Sequence, residues 1–158
     1  MMTPPEPPDL SISDPLGAML GFQLRRASVA VMMALAEELA TLGLNPGEAS
    51  LLLFIGANEG VTQSDIGRAM RAQPANLQPL VHKLWQAGAL DRVAGKGRAI
   101  ALSLSDEGRV LCEKVSRAFA RNEARITRRV PAERRAEMIE LLRLICMDAC
   151  RPGGRETE

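Results

Sequence analysis

The stretch of sequence that decides the fold is residues 61–104, VTQSDIGRAMRAQPANLQPLVHKLWQAGALDRVAGKGRAIALSL. It opens with Thr62 and, three residues later, Asp65, two side chains that can satisfy the free amides at the start of a helix. A short helix is therefore predicted to about Met70. After a break, apolar residues recur at the spacing of a second helix with one buried face, which Gly88 can cap at its C-terminus. These apolar residues are Leu77, Leu80, Val81 and Leu84.

A β-hairpin with a basic, glycine-rich tip is predicted to follow the second helix. Residues 90–93 form its first strand, residues 94–98 (AGKGR) its tip, and residues 99–104 its second strand, in which Ile100, Leu102 and Leu104 alternate with small residues. Two helices joined by a tight turn and followed by a hairpin make a winged helix-turn-helix. This shape is suited to placing one helix in the major groove of DNA.

The face of the second helix that lies opposite its buried side carries short, amide-bearing or basic side chains. Asparagine and glutamine can bond adenine, small apolar groups can touch a thymine methyl, and lysine can reach a phosphate or guanine. Gln63 and Ser64, at the start of the first helix, suit phosphate contacts, because their backbone amides point outward there. A solvated helix face that binds nothing would have a similar composition. The predicted DNA-contacting residues are Gln63, Ser64, Gln73, Ala75, Asn76, Gln78, Pro79, His82 and Lys83, with Gln86 on the same face.

Pro79 breaks a local rule of helix formation. If Gln73 caps the helix, Pro79 lies well inside it and cannot donate to the carbonyl of Ala75, a defect that normally costs about 3 kcal/mol. Because the defect falls on the outward face, we predict a slight bend there, with the carbonyl left to water or to a base amino group. The alternative is that the helix begins late, with Pro79 in its first turn.

Composition and charge agree with a DNA-binding module. A chain of 158 residues fits one domain, or one small domain with an extension. Aromatic content of 3% and the absence of tyrosine leave a core of aliphatic side chains, which favours helices. The net charge is only +1, but residues 61–104 carry six basic and two acidic side chains, whereas residues 1–60 carry two basic and seven acidic. The positive surplus lies in the segment expected to meet phosphate.

Several classes of function are not expected. No metal site or cofactor is predicted, because a tetrahedral site needs four ligands and the chain has one histidine and three cysteines, Cys112, Cys146 and Cys150, interpreted as small buried thiols. An enzyme is not expected, since no nucleophile with its base and no carboxylate pair is evident. The N-terminus is proline-rich and acidic, and no apolar run approaches the roughly 18 to 20 residues that span a bilayer, so a cytoplasmic protein is predicted.

Long helices are predicted on both sides of the winged module. They run over residues 14–42, from residue 45 through the Leu51–Ile55 block, from Ser105 to about residue 128, and from Pro131 to about residue 150. The first and last carry more apolar surface than a small winged domain can cover, and the simplest partner is a second copy. The predicted dimerisation residues are Leu16, Leu20, Ile139, Leu142 and Ile145.

The predicted organisation is a mainly α protein in which a dimerisation region formed by both ends of the chain carries the DNA-binding domain. A twofold dimer would offer two modules to half-sites about 34 Å apart, as in a palindromic operator. The predicted units are an arm at 1–13, a helical dimerisation region at 14–44 and 109–150, the winged domain at 45–108, and a polar tail at 151–158.

The order and spacing of several phrases resemble the MarR family of bacterial transcriptional regulators. These phrases are Leu44-Asn45-Pro46, Val61-Thr62-Gln63-Ser64-Asp65-Ile66, Leu80-Val81-His82-Lys83-Leu84 leading to Gly88-Ala89-Leu90-Asp91-Arg92, and Gly97-Arg98-Ala99 leading to Ser103-Leu104-Ser105-Asp106-Glu107-Gly108. The resemblance implies a dimeric winged-helix regulator, usually a repressor. Such regulators are often released from DNA by a small aromatic or anionic ligand bound between the dimerisation and DNA-binding parts.

Further site residues follow from the resemblance and from charge. Arg98 resembles the wing arginine that enters the minor groove, although the acidic residue usual two places before it is Lys96 here. The extra cation should strengthen phosphate attraction. Arg25 and Arg26, within an apolar helix, could neutralise an acidic effector, although such side chains more often reach solvent on their aliphatic stems. The alternative to a DNA-binding regulator is a winged-helix module that binds only proteins.

Overall fold

The computed structural model describes residues 13–94 and 100–149. Within these ranges the chain is mainly helical and forms a winged helix-turn-helix between longer helices, which confirms the predicted fold class. The elements are α1 (Leu20–Leu39), a 3-10 turn (Ala40–Leu42), α2 (Pro46–Ala57), β1 (Val61–Thr62), α3 (Gln63–Met70), α4 (Pro74–Gln86), β2 (Leu90–Ala94), β3 (Ile100–Leu104), α5 (Asp106–Ile126) and α6 (Ala132–Ala149).

Side-chain caps start α2 and α3 where the sequence predicted them. At α2 the Asn45 side chain accepts a hydrogen bond from the Glu48 amide (2.9 Å), and the Asn45 amide donates to the Glu48 carboxylate (3.0 Å). Thr62 accepts from the Asp65 amide at the start of α3 (3.2 Å). Each cap satisfies an amide that lacks a partner within its helix, so these boundaries are fixed by local chemistry.

The wing is part of a three-stranded antiparallel sheet with the order β1-β3-β2. In the hairpin Leu90 pairs with Leu104, and on the other side of β3 Val61 pairs with Leu102. Leu102 and Leu104 are buried as their alternation predicted, whereas Ile100 is 57% exposed. Strand β1 was not predicted, because a strand of two residues shows no alternation. The predicted hairpin tip lies outside the described residues, apart from the Ala94 backbone.

Helix α2 lies at the centre of the core. It contacts α1, α4, α5 and β3, and Leu51, Leu52 and Ile55 within the predicted buried block are fully buried. Burying each such side chain stabilises the fold by about 1.5–3 kcal/mol. The core side chains around it are Leu35 and Leu39 from α1, Leu77, Val81 and Leu84 from α4, Leu102 and Leu104 from β3, and Val115 and Ala118 from α5.

The first helix begins later than the sequence predicted. Residues 15–18 form an isolated turn, Met19 is extended (φ −85°, ψ 118°), and α1 starts at Leu20. Asp14 caps the turn instead of the helix, since its carboxylate accepts a hydrogen bond from the Leu16 amide (3.1 Å). The prediction of a continuous helix from residue 14 was therefore wrong. A proline-initiated turn needs only local hydrogen bonds and does not have to extend into a helix.

Helix α6 and the first half of α1 lie outside the core. No residue of α6 is buried, and its apolar side chains are largely exposed. Cys146 on this helix is also exposed and Cys112 on α5 is half-buried, so the prediction of buried thiols was wrong for Cys146. In the described part of the chain no single helix is long and apolar enough to cross a membrane, and only a pair bent by 76°, residues 20–42 with 46–57, has the length and composition to do so.

Gly108 in the first turn of α5 makes possible a close contact with the chain before β2. Ser105 Oγ accepts from the Gly108 amide (2.9 Å) and donates to the Gly88 carbonyl (2.5 Å). A Cβ added at Gly108 would lie 2.0 Å from the Ala89 carbonyl oxygen. Because that atom belongs to the backbone, the clash cannot be relieved by a side-chain rotation.

We expect Gly108→Ala to lower the free energy of unfolding by about 1–3 kcal/mol, because α5 and β2 must separate. Urea denaturation followed by circular dichroism measures the change. Gly21→Ala is the matched control, since nothing lies within 4 Å of a Cβ there, and it should leave stability unchanged or raise it by about 0.5–1 kcal/mol. Equal stability of Gly108→Ala and wild type would contradict the proposed contact.

Candidate nucleic-acid interface

A tight turn sets α4 across α3. Arg71 ends α3 in the left-handed conformation (φ 51°), and the Ala72 amide donates to the Gly67 carbonyl (2.9 Å). A Cβ on Gly67 would lie only 3.3 Å from the Ala72 oxygen, so the turn packs closely against α3. The chain then leaves the turn through Gln73 and enters α4 at Pro74.

Helix α4 has one buried and one exposed side. Leu77, Val81 and Leu84 are buried in the core, while Leu80 is half-buried. The structure leaves exposed the residues that rotation about the helix axis predicted to face outward. These are Ala75, Asn76, Gln78, Pro79, His82 and Gln86.

Pro79 lies inside a helix that begins at Pro74. Gln73 occupies the N-cap position in an extended conformation (φ −66°, ψ 141°), without a side-chain capping bond. The alternative of a late helix start at Pro79 is therefore wrong. Because proline has no amide hydrogen, the Ala75 carbonyl lacks its helical donor, and both residues are exposed. The bend itself stays a prediction.

A groove of about 550 Å³ runs between the start of α3 and the start of α4. It brings the half-buried Gln63 and the exposed Ser64 together with Gln78. Arg68, which also lines the groove, was not predicted as a site residue and forms an ion pair with Asp65. Hydrogen bonds from the Thr62 hydroxyl and then from Arg68 lower the pKa of the Asp65 carboxyl below its ordinary value of 3.8. The ion pair with Asp65 places Arg68 at the groove.

An exposed aromatic and basic cluster borders the C-terminal half of α4. The Arg92 guanidinium carbon lies 4.4 Å from the centre of the Trp85 ring, and the ring centres of Trp85 and His82 are 6.0 Å apart. Sequence reasoning missed Trp85 and Arg92 as site residues. Trp85 follows His82 by three positions and so shares its face, but the approach of Arg92 depends on how β2 packs beside α4.

Two of the predicted DNA-contacting residues have other placements, and two more are not described by the structure. Gln73 is exposed at the N-cap of α4. The Lys83 ammonium lies 2.8 Å from a carboxylate oxygen of Glu48, in an ion pair that the sequence did not predict. Lys96 and Arg98 lie outside the described residues.

The predicted effector and dimerisation residues lie at the surface. Arg25 and Arg26 are exposed, and Arg26 pairs with Asp14 (3.3 Å) with its guanidinium 5.8 Å from the centre of the Phe22 ring. Four of the five apolar residues predicted to dimerise are exposed and Ile145 is half-buried. The exposed ones are Leu16, Leu20, Ile139 and Leu142. Within residues 13–94 and 100–149 no group of side chains could hold a metal ion.

The arrangement defines a class of protein. A helix held in the core by its apolar side, exposed on its polar side, preceded by a tight helical turn and followed by a β-hairpin is a winged helix-turn-helix, the architecture of many DNA-binding domains.

Comparison with known sequences shows to which family of winged helix-turn-helix proteins this chain is similar. A sequence model of the MarR family matches residues 42–99. The HTH-type transcriptional repressor Rv2887 of Mycobacterium tuberculosis is 26% identical over 133 residues, which cover 83% of this chain and 96% of the repressor. The chain is therefore similar to MarR-family transcriptional regulators, in its winged helix-turn-helix by the family model and over most of its length by this relative.

Solved structures show the same similarity. A MarR-family regulator from Rhodococcus sp. RHA1 has a TM-score of 0.78 and 25% identity, over 84% of this chain and 97% of that one. The transcriptional repressor CouR, solved with a 23-mer DNA duplex, has a TM-score of 0.77 and 26% identity, over 85% and 99%. Rv2887 with salicylic acid has a TM-score of 0.64 and 25% identity, over 86% and 99%. These relatives carry the names of regulators and not of enzymes.

Proposed function

We propose that this protein is a homodimeric repressor that reads a pseudo-palindromic operator with α4 and is released by a small aromatic or anionic effector. The observation that carries the proposal is the exposed polar side of α4, fixed by the burial of Leu77, Val81 and Leu84 on its other side. In a winged helix-turn-helix this side of the second helix enters the major groove.

The side chains on α4 suit direct reading of bases. Asn76 and Gln78 can each offer a donor and an acceptor to adenine, and Ala75 and Pro79 offer apolar contact to a thymine methyl. The DNA duplex bound to CouR, a relative with the same fold, supports DNA binding by this protein.

The backbone of the duplex would be held at the edges of this surface. Gln63 and Ser64, at the start of α3, present amide groups to phosphate. The Arg92 guanidinium lies beside the same surface and adds positive charge. Arg68 also lies beside it, in its ion pair with Asp65. Lys96 and Arg98 of the wing complete the proposed contacts, with Arg98 in the minor groove.

A second copy of the chain would cover the apolar side chains at the two ends. Leu20 is 62% exposed and Ile139 50% exposed, a surface whose exposure to water is unfavourable. The proposed dimerisation region comprises residues 14–44 and 109–150, and the DNA-binding domain residues 45–108. Ion pairs from Arg121 to Glu38 (2.8 Å) and from Arg125 to Glu37 (2.9 Å) join α5 to α1 within the first of these units.

The rival function is a winged-helix module that binds proteins and not DNA. The two differ in their response to salt, because each phosphate contact releases counterions and lowers affinity steeply as salt rises. A protein complex held by apolar contacts would respond weakly. The positive surplus in residues 61–104 favours DNA.

The double substitution Asn76→Ala/Gln78→Ala tests base reading. We expect operator affinity to fall by about 30-fold or more, since each of the two lost base contacts costs about 1–3 kcal/mol. The slope of log affinity against log salt concentration, the salt slope, should stay the same because no phosphate contact is removed. Fluorescence anisotropy with a duplex selected from a random library, measured over a salt series, gives both quantities. Asn58→Ala, which removes an exposed amide outside α4, is the control and should bind normally. Wild-type protein without salt-dependent duplex binding would refute the function.

The substitution Leu142→Glu tests the dimer. Wild type is expected to have twice the subunit mass of 17.1 kDa at micromolar concentration, and the variant the mass of one subunit, because a charge cannot be buried there without a partner. Light scattering after size-exclusion chromatography measures the mass. Val93→Glu changes a side chain of nearly equal exposure, 42% against 41%, outside the proposed interface and should leave the dimer intact. A wild-type monomer would exclude the dimer.

An aromatic carboxylate is the proposed effector, because Rv2887, a relative with the same fold, has been solved with salicylic acid. We expect salicylate to raise the melting temperature of the wild-type protein and to weaken its binding to the duplex. The double variant Arg25→Ala/Arg26→Ala should lose both effects, because it lacks the cations proposed to pair with the carboxylate. Differential scanning fluorimetry measures the shift. Salicylamide, which lacks the charge, is the matched control ligand. If the double variant responds to salicylate as wild type does, Arg25 and Arg26 do not bind the effector.

A further inference from the structure

The Glu48 carboxylate is buried at the start of α2 and serves two elements at once. Its side chain is 3% exposed. One oxygen accepts from the Asn45 amide (3.0 Å), and the other accepts from the Asn45 side-chain nitrogen (2.7 Å) and lies 2.8 Å from the Lys83 ammonium. A buried carboxylate needs such donors, because burying a charge without them is strongly unfavourable.

Lys83 reaches this carboxylate from the C-terminal half of α4. Its side chain is 58% exposed, so water could hydrate the ammonium if the ion pair were absent. Loss of the ion pair would therefore destabilise the buried Glu48 carboxylate more than the exposed Lys83 ammonium. It lies beside a close approach of α2 and α4, where a Cβ on Gly47 would meet Leu80 Cδ1 at 3.5 Å.

The ion pair lies about one turn after the position in α4 where a backbone hydrogen bond is missing. Pro79 removes one backbone hydrogen bond from the helix, and Lys83 follows it by about one turn. The part of α4 that carries His82 and Gln86 is thus held by its apolar contacts and by this bond to α2. Because the carboxylate is itself fixed by Asn45, the bond has a rigid anchor.

We propose that Lys83 is a positioning residue, bonded to Glu48 so that the C-terminal half of α4 keeps its orientation against α2, and that it does not contact DNA. The proposal rests on the DNA-binding function above and changes the role predicted for Lys83 from the sequence. It also adds Glu48, a buried residue on α2, to the residues on which DNA reading depends.

The two roles of Lys83 predict different behaviour of the salt slope. If Lys83 binds phosphate, Lys83→Met should reduce the slope by about 0.9, and Glu48→Gln should free the lysine and strengthen binding. If Lys83 positions α4, both substitutions should weaken duplex binding by about tenfold or more and leave the salt slope unchanged. A change of this size is typical when one of two residues in direct contact is removed.

The experiment measures duplex affinity over a salt series for Glu48→Gln, Lys83→Met, the double variant and Lys83→Arg. We expect the double variant to be no weaker than the weaker single variant, and Lys83→Arg, which keeps the ion pair, to bind within about threefold of wild type. Lys114→Met removes an exposed lysine on α5 and should bind as wild type does. Stronger binding by Glu48→Gln together with a reduced slope in Lys83→Met overturns the proposal.

Hydrogen exchange of the backbone amides of residues 80–86 gives a readout that does not require DNA. Faster exchange in both single variants, restored in Lys83→Arg, supports the positioning role, and exchange equal to wild type in both overturns it. If Lys83→Met does not fold, Glu48→Gln, which weakens the ion pair, can be compared with Lys83→Arg, which keeps it. A wild-type protein that binds no duplex would refute the proposed function, whereas the exchange rates would still decide the role of Lys83.

Discussion

The burial of one side of α4 against α2 is the interaction on which the rest of the structure depends. Leu77, Val81 and Leu84 are almost completely removed from water, and together they stabilise the packed position of the helix by several kcal/mol, at about 1.5–3 kcal/mol each. A helix cannot rotate about its axis without exposing such a face. The same burial therefore determines which polar residues point outward, and core packing fixes the proposed reading surface.

Helix α2 connects the packed position of α4 to the rest of the chain. Helix α2 contacts α1, α5, α4 and β3, so both proposed units share one core. Its N-terminus carries the capping box of Asn45 and Glu48, and the same carboxylate meets Lys83. A change in how α1 and α5 pack on α2 would therefore reach α4 through direct contacts. This connection gives the proposed effector response a physical basis, and the coupling itself is part of that proposal.

The sequence predicted those features that depend on neighbouring residues. Thr62, Asn45 and Ser105 cap helices through bonds to residues three positions away, and the two faces of α4 follow from its periodicity. Features that depend on distant residues were missed. Strand β1 exists only because β3 lies beside it, and the contacts of Lys83 with Glu48 and of Arg92 with Trp85 join separate elements. The late start of α1 was missed for a different reason, since a capped turn and a capped helix begin with the same residues.

Base reading by the outward side of α4 can be observed by nuclear magnetic resonance of the side-chain amide groups of Asn76 and Gln78 while a selected operator duplex is added. We expect both signals to shift and their hydrogens to become protected from exchange with water, because the amides bond to base edges. Signals that keep their free positions and rapid exchange when the protein is saturated with duplex would contradict it.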